Sequence, residues 1–135
     1  MAVRFKGDIA LNGSEGQIWS RVSNLDAISA YWPTITSVQV QGSDGGRSKA
    51  LVRFSFGGES TALITVDQAD RTLLIYYTTG ALTGTHRVTV GHERVVVEVD
   101  VEFHGHPRLL SHFREERFVA DTKQGLLRLI SPMRA

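Results

Sequence analysis

Between residues 36 and 103 the chain repeats one unit, an extended stretch of alternating apolar residues followed by a short turn containing Gly or Asp. The stretches are 36–41, 48–56, 61–66, 72–79, 83–90 and 94–103. The connections between them, Gly42–Arg47, Gly57–Ser60, Asp67–Arg71, Gly80–Leu82 and Gly91–Glu93, are all short. Parallel neighbours need a crossover of about a dozen residues or more, whereas antiparallel neighbours can be joined by a few. The six stretches are therefore predicted to form one antiparallel meander. In the last of them Val95, Val97, Val99, Val101 and Phe103 share one side, and Glu98, Asp100 and Glu102 share the other. That alternation belongs to a sheet with one dry face and one wet face.

The flanking segments add one strand and three helices. Val3, Phe5, Gly7, Ile9 and Leu11 alternate with Arg4, Lys6 and Asp8, which predicts a seventh strand over residues 3–11. Ser14-Glu15-Gly16-Gln17 reads as a capping box, and Ile18, Trp19 and Val22 follow at helical spacing. A second short helix is predicted from Asp26 as N-cap through Ala27, Ile28 and Tyr31, because Pro33 disfavours helical geometry at Trp32. Pro107 suits the first turn of a final helix, in which Leu109, Phe113, Glu116, Ala120, Lys123, Leu127 and Ile130 recur on one side. A helix over residues 109–130 would be ~33 Å long. Seven strands make a sheet ~29 Å wide, so one helix can cross it. A second stripe, Phe118, Val119, Thr122, Leu126 and Leu129, lies roughly opposite the first. One sheet cannot cover both. Either the first stripe is not the inner one, or the second meets the short helices or a partner chain.

Composition removes several classes of function. The 135 residues carry 15 Lys+Arg against 14 Asp+Glu, a net charge of +1, which gives no reason to expect nucleic acid as a partner. The absence of cysteine excludes disulfides and thiolate chemistry and fits a cytoplasmic protein. Residues 1–11 lack the continuous apolar core of a signal peptide, and an apolar run such as Val95–Val97 is far too short to span a membrane. His104-Gly105-His106 with His112 has the look of a metal site but sits in a Gly- and Pro-containing loop without an acidic third ligand, so it reads as a solvated connection. Gly42-Ser43-Asp44-Gly45-Gly46 lacks the Lys-Ser/Thr end of a phosphate loop and reads as a turn. No metal and no cofactor are expected.

One strand, two short helices, a six-stranded meander and a long terminal helix together resemble the helix-grip fold of the START-like, or SRPBCC, superfamily, as a single domain over residues 1–135. Local likenesses are Gly13-Ser14-Glu15-Gly16-Gln17-Ile18-Trp19 after the opening strand, then Leu25-Asp26 and Tyr31-Trp32-Pro33. The resemblance implies an α+β fold in which a seven-stranded antiparallel curved sheet wraps around the C-terminal helix, with a cavity between them. The superfamily includes the birch-pollen allergen type, polyketide cyclases and dehydratases, lipid-transfer domains and a small accessory component of carbon monoxide dehydrogenase. In length and helix placement the chain looks most similar to the carbon monoxide dehydrogenase type. Activities differ so widely across these proteins that the fold alone does not select one.

If the apolar faces point inward, Val38, Val40, Val52, Phe54, Phe56, Ile64, Val66, His86, Val88 and Val90 line the interior, with Tyr77. Most of these are ordinary core residues by type. His86 stands out, since a buried imidazole needs a partner and titrates near neutral pH. Glu116 falls on the Leu109/Phe113/Ala120 stripe, where it needs a counter-charge such as Arg117 or His86, or water at a cavity mouth. The candidate ligand-binding set is Trp32, Phe54, Phe56, Ile64, Tyr77, His86, Val88, Phe113, Glu116 and Ala120.

The reading preferred is a non-catalytic module that binds a small apolar or amphipathic molecule between sheet and helix. One alternative is an enzyme similar to polyketide cyclases, with His86 as acid or base and Trp32 and Phe54 holding a flat substrate. The other is an accessory or assembly protein resembling the carbon monoxide dehydrogenase component. For the latter, Leu51, Leu63, Tyr76 and Val96 on the second sheet face and the surplus helix stripe would meet a second copy or a larger complex.

Overall fold

The structure is a computed structural model that describes residues 2–11, 14–104 and 108–130, with side chains in the last segment from Glu116 onward. Its elements are β1 (Ala2–Ala10), α1 (Glu15–Val22), a 3₁₀ turn (Leu25–Ala27), α2 (Ile28–Tyr31) and β2 (Ile35–Asp44). They continue with β3 (Arg47–Phe54), β4 (Glu59–Asp67), β5 (Thr72–Gly80), β6 (Leu82–Val90), β7 (Arg94–Phe103) and α3 (Arg108–Ile130). The strands form one antiparallel sheet in the order β1-β7-β6-β5-β4-β3-β2, as the short connections demand.

Local chemistry explains most boundaries. Ser14 is extended (φ −75°, ψ 129°) and its hydroxyl accepts the Gln17 N–H at 3.3 Å, starting α1. The next helical segment begins earlier than expected: Asn24, not Asp26, is the cap, its side-chain oxygen accepting the Asp26 N–H at 3.1 Å. The glycine-rich stretch after β2 is a two-residue hairpin turn, with Gly45 and Gly46 at φ 55° and 82°. Two positive dihedrals suit the tight turn whose twist matches the strands. Gly84, at φ 118°, sits where a Cβ would collide with the Asp100 carbonyl, so only glycine lets β6 come this close to β7. Register shifts between Ile35 and Ser37, Val40 and Gly42, and Thr61 and Ala62 add bends that curve the sheet.

The concave face buries Val52, Ile64, Ile75, Val88, Val97 and their neighbours against Ile18 and Val22 of α1, Ile28 and Trp32 at α2, and α3. Val40 departs from expectation. It is 40% exposed, because β2 runs past the core toward its hairpin as an edge strand, and Val38 and Val66 are only half-buried. On the convex face Leu51, Leu63 and Val96 are half-buried and Tyr76 is 48% exposed.

Helix α3 corrects the stripe assignment. Phe118, Thr122, Gly125, Leu126 and Leu129 are buried, whereas Glu116, Ala120, Lys123 and Leu127 are exposed. The reason is a close fit between helices. A Cβ on Gly125 would lie 2.9 Å from the Tyr31 carbonyl oxygen and would overlap the Trp32 ring, so the missing side chain lets Trp32 lie directly on α3. Thr122 can face inward because its hydroxyl donates to the Phe118 carbonyl at 2.8 Å. Arg21 Nη1 donates to the Leu129 carbonyl at 2.6 Å and Arg128 Nη1 to the Ala30 carbonyl at 3.1 Å, fastening the C-terminal half of α3 to the short helices.

Candidate ligand pocket

His86 comes to the interior by strand parity. On β6 it shares the concave face with Val88 and Val90, and its register partners are Ile75 on β5 and Val99 on β7. It is 3% exposed, and the Trp32 ring meets it edge-on with centroids 4.9 Å apart. Among the described residues no group hydrogen-bonds its Nε2. Burial pushes the imidazole pKa down to about 4, so the ring is neutral at neutral pH. A buried polar atom left without a partner costs about 1–3 kcal/mol, so this nitrogen gains from any donor or acceptor that reaches it.

Beside the ring lies a cavity of about 10 Å³, bounded by Trp32, Ile35, Tyr77, His86, Phe118 and Thr122, with Thr34 and Asp121 at its polar side. That is room for roughly one water. Thr34 Oγ1 donates to Asp121 Oδ2 at 3.2 Å, and Arg117 Nε stands 3.8 Å from the same oxygen. This bond joins the α2–β2 corner to α3 across the cavity. From the cavity an aromatic series runs toward the β3–β4 turn. Tyr77 meets Phe54 at 5.5 Å, Phe54 stacks on Phe56 at 5.1 Å, Phe56 meets Phe103 at 5.4 Å, and Phe103 meets Phe118 at 5.8 Å. Phe56, in the turn after β3, is only half-buried, so the series approaches the surface there. Burial raises the Tyr77 hydroxyl far above its ordinary pKa, which keeps it a neutral hydrogen-bonding group.

The candidate residues divide into three groups. Trp32, Tyr77 and His86 line the cavity, and Phe54 and Phe56 belong to the aromatic series leading from it. Ile64 and Val88 are wholly buried on the same face but do not border the cavity. Glu116 and Ala120 are placed elsewhere: they lie on the exposed side of α3, beside Ala2, Val3 and Arg4 of β1. Glu116 thus does not meet the buried His86, one of the counter-charges considered for it, and Arg117, the other, has its Nε 3.8 Å from Asp121 Oδ2. Phe113 lies outside the described side chains, as do Gly105, His106 and His112 of the histidine loop. His104 sits 2.6 Å from the Thr83 hydroxyl. Thr34, Phe118, Asp121 and Thr122 were missed as cavity residues. Three of them follow once the Phe118-Thr122-Leu126-Leu129 stripe is taken as the inner one.

A curved antiparallel sheet gripping the long helix α3 over an apolar interior defines the helix-grip class of folds. The sequence model of the family described as polyketide cyclase / dehydrase and lipid transport matches residues 2–131, and the chain belongs to that START-like family. Among solved structures it is similar to the ZhuI aromatase/cyclase from Streptomyces sp. R1128, with a TM-score of 0.70 and 14% identity over 96% of this chain and 94% of that one. It is similar to a START superfamily protein from Mycobacterium smegmatis, with a TM-score of 0.66 and 14% identity over 93% and 92% of the two chains. XoxI from Bacillus cereus gives a TM-score of 0.65 and 16% identity over 95% and 93%. At these identities the likeness is one of fold. No curated protein matches the chain in sequence. Among the described residues no helix is long and apolar enough to cross a membrane.

Proposed function

We propose that this chain, acting as one START-like domain, binds a small apolar or amphipathic molecule between the sheet and α3, with His86 as its polar anchor. The observation that carries the reading is the Nε2 of a 3% exposed histidine, without a partner among the described residues, placed in an otherwise apolar face and next to a cavity. A ligand hydroxyl or other polar group bonded to that nitrogen would relieve its desolvation, while the aromatic series from Tyr77 to Phe56 would receive the apolar body. The cavity of about 10 Å³ is too small for such a molecule. Binding therefore requires α3 and the Trp32–Thr34 corner to separate, breaking the Thr34–Asp121 bond.

The test is native mass spectrometry and solvent extraction of the purified protein, followed by titration with 1-anilinonaphthalene-8-sulfonate and with a medium-chain fatty acid. The expected result is one molecule bound per chain, with a tryptophan fluorescence change that Trp32→Phe removes and an affinity that His86→Leu weakens about tenfold. No uptake of either probe, or equal affinity in the His86→Leu variant, overturns the reading.

A catalytic reading rests on the neutrality of the same histidine. With its pKa near 4 the ring is neutral at neutral pH but a weak base, so it takes a proton from a flat substrate held by Trp32 and Phe54 only where the bound substrate's developing negative charge stabilises the imidazolium. In that case His86→Gln retains binding of a poly-β-keto substrate analogue and loses turnover. Turnover unchanged by the substitution rejects it.

A further inference from the structure

We infer that the open edge of β1 is a self-association surface, through which two copies of the chain pair β1 with β1 in antiparallel fashion about a two-fold axis at Gly7. β1 ends the sheet, with β7 on one side and no strand among the described residues on the other. Leu11 N–H donates to the Glu93 carbonyl at 2.9 Å, continuing the β1–β7 register. In an antiparallel strand the N–H and C=O of one residue point to the same edge, and successive residues alternate. The odd-numbered residues of β1 therefore bond β7, and the amide groups of Arg4, Lys6 and Asp8 face the open edge. No proline interrupts this row.

An exposed row of amides is a template for another strand, and this strand is complementary to itself. Pairing about Gly7 sets Lys6 opposite Asp8 of the partner subunit, twice by symmetry. These are residues whose amides face the edge, so each pair gains ladder hydrogen bonds as well as opposite charge. Asp8 already accepts from Arg94 at 2.8 Å, and a carboxylate has capacity for a further donor. On the concave side half-buried Phe5 comes opposite half-buried Ile9 of the partner subunit. Gly7 brings no side chain to the axis, and the Phe5 ring already leans over it, since a Cβ there would lie 2.8 Å from Phe5 Cζ. Pairing about Lys6 instead would set Arg4 opposite Asp8 of the partner subunit but also oppose two lysines, so the Gly7 register, with the same number of opposite-charge pairs and no like pair, is the better one.

The flank of α3 supports the same partner. α3 lies over β1, with Leu126 facing Gly7 and Lys123 over the Phe5 ring at 5.8 Å. Between the helix and the strand runs an open groove of about 550 Å³, bordered by Val3, Val119 and Ala120 and flanked by Glu116 and Lys123. Leu127, 49% exposed, continues the stripe. A two-fold at Gly7 sets this stripe against its own copy running the other way. The partner is thus a second copy, identified by charge complementarity and by an apolar flank on the same side as the open edge.

Sedimentation velocity of the full chain over a range of concentrations, with circular dichroism to verify folding, tests the inference. The expected result is a concentration-dependent dimer that weakens with salt. Lys6→Asp, which sets like charges opposite each other, should raise the dimer dissociation constant by about tenfold or more, and combining it with Asp8→Lys should restore association. Asp8→Pro, which deletes an outward-facing N–H and leaves the β7 ladder intact, should give a folded monomer. If that variant fails to fold, the charge-swap pair still decides. A monomer at every concentration overturns the inference. So does a dimer that ignores Lys6→Asp, or one that dissociates instead on Leu63→Asp at the convex face.

Discussion

At the residue scale His86 sets stability and binding against each other. Its pKa falls from an ordinary 6.5 to about 4 in the folded chain because burial disfavours the charged ring. Between these values the unfolded chain binds more protons than the folded one, so stability rises with pH across the window from 4 to 6.5 and is level above it. Between pH 7.5 and 4.5 this group should remove roughly 2–3 kcal/mol of stability. Urea unfolding of the wild type and of His86→Leu at both pH values isolates the term from that of the carboxylates. The acid-side loss should be smaller in the variant by that amount, and equal losses would mean the imidazole is not buried unpaired. At pH 7.5 the His86→Leu variant should be at least as stable as the wild type, since it removes an unpaired polar atom, while it binds ligand less tightly. Strand parity was enough to place His86 inward. That its Nε2 lacks a partner among the described residues was not readable, because a partner can come from any element of the fold.

At the element scale, two glycines in helices have opposite roles. Gly16 in the first turn of α1 is exposed, and a Cβ there meets only the Ser14 hydroxyl at 3.7 Å. Gly16→Ala should stabilise the protein by ~0.5 kcal/mol, from the helix preference of alanine. Gly125 is buried, and its Cβ would meet the Trp32 ring and the Tyr31 carbonyl, so Gly125→Ala should cost about 1–3 kcal/mol despite the same preference. Denaturant midpoints compare the two directly, and stabilisation by Gly125→Ala would show that α3 does not rest on Trp32. This contact also explains why helical spacing alone left the orientation of α3 open. Both stripes carry apolar residues, and the choice depends on which one fits the surface offered by Trp32. Thr122 weakened the apolar appearance of the inner stripe, although its hydroxyl is satisfied within the helix.

At the scale of the whole molecule, the sheet and α3 close on a cavity far smaller than a ligand. Ligand binding and stability must therefore be linked: whatever enters the gap binds the folded chain alone. A ligand at a hundred times its dissociation constant stabilises by about 2.7 kcal/mol, and for a chain of this size thermal unfolding should shift upward by several degrees. Removing the Thr34–Asp121 bond should ease entry, so Thr34→Val is expected to bind the fluorescent probe faster than the wild type in stopped flow. An unchanged association rate would place the entrance elsewhere.

The sequence by itself determined the order of elements, the antiparallel pairing and the faces of nearly every strand, because connection length and the period of two are local quantities. It also indicated that the terminal helix was long enough to cross the sheet. Tertiary structure alone decided which side of that helix turned inward, that Val40 ran out past the core, and that Glu116 and Ala120 faced the β1 flank instead of the interior. Each of these depends on contacts between residues far apart in the chain, such as Gly125 against Trp32. Periodicity describes a surface, and only packing selects its partner.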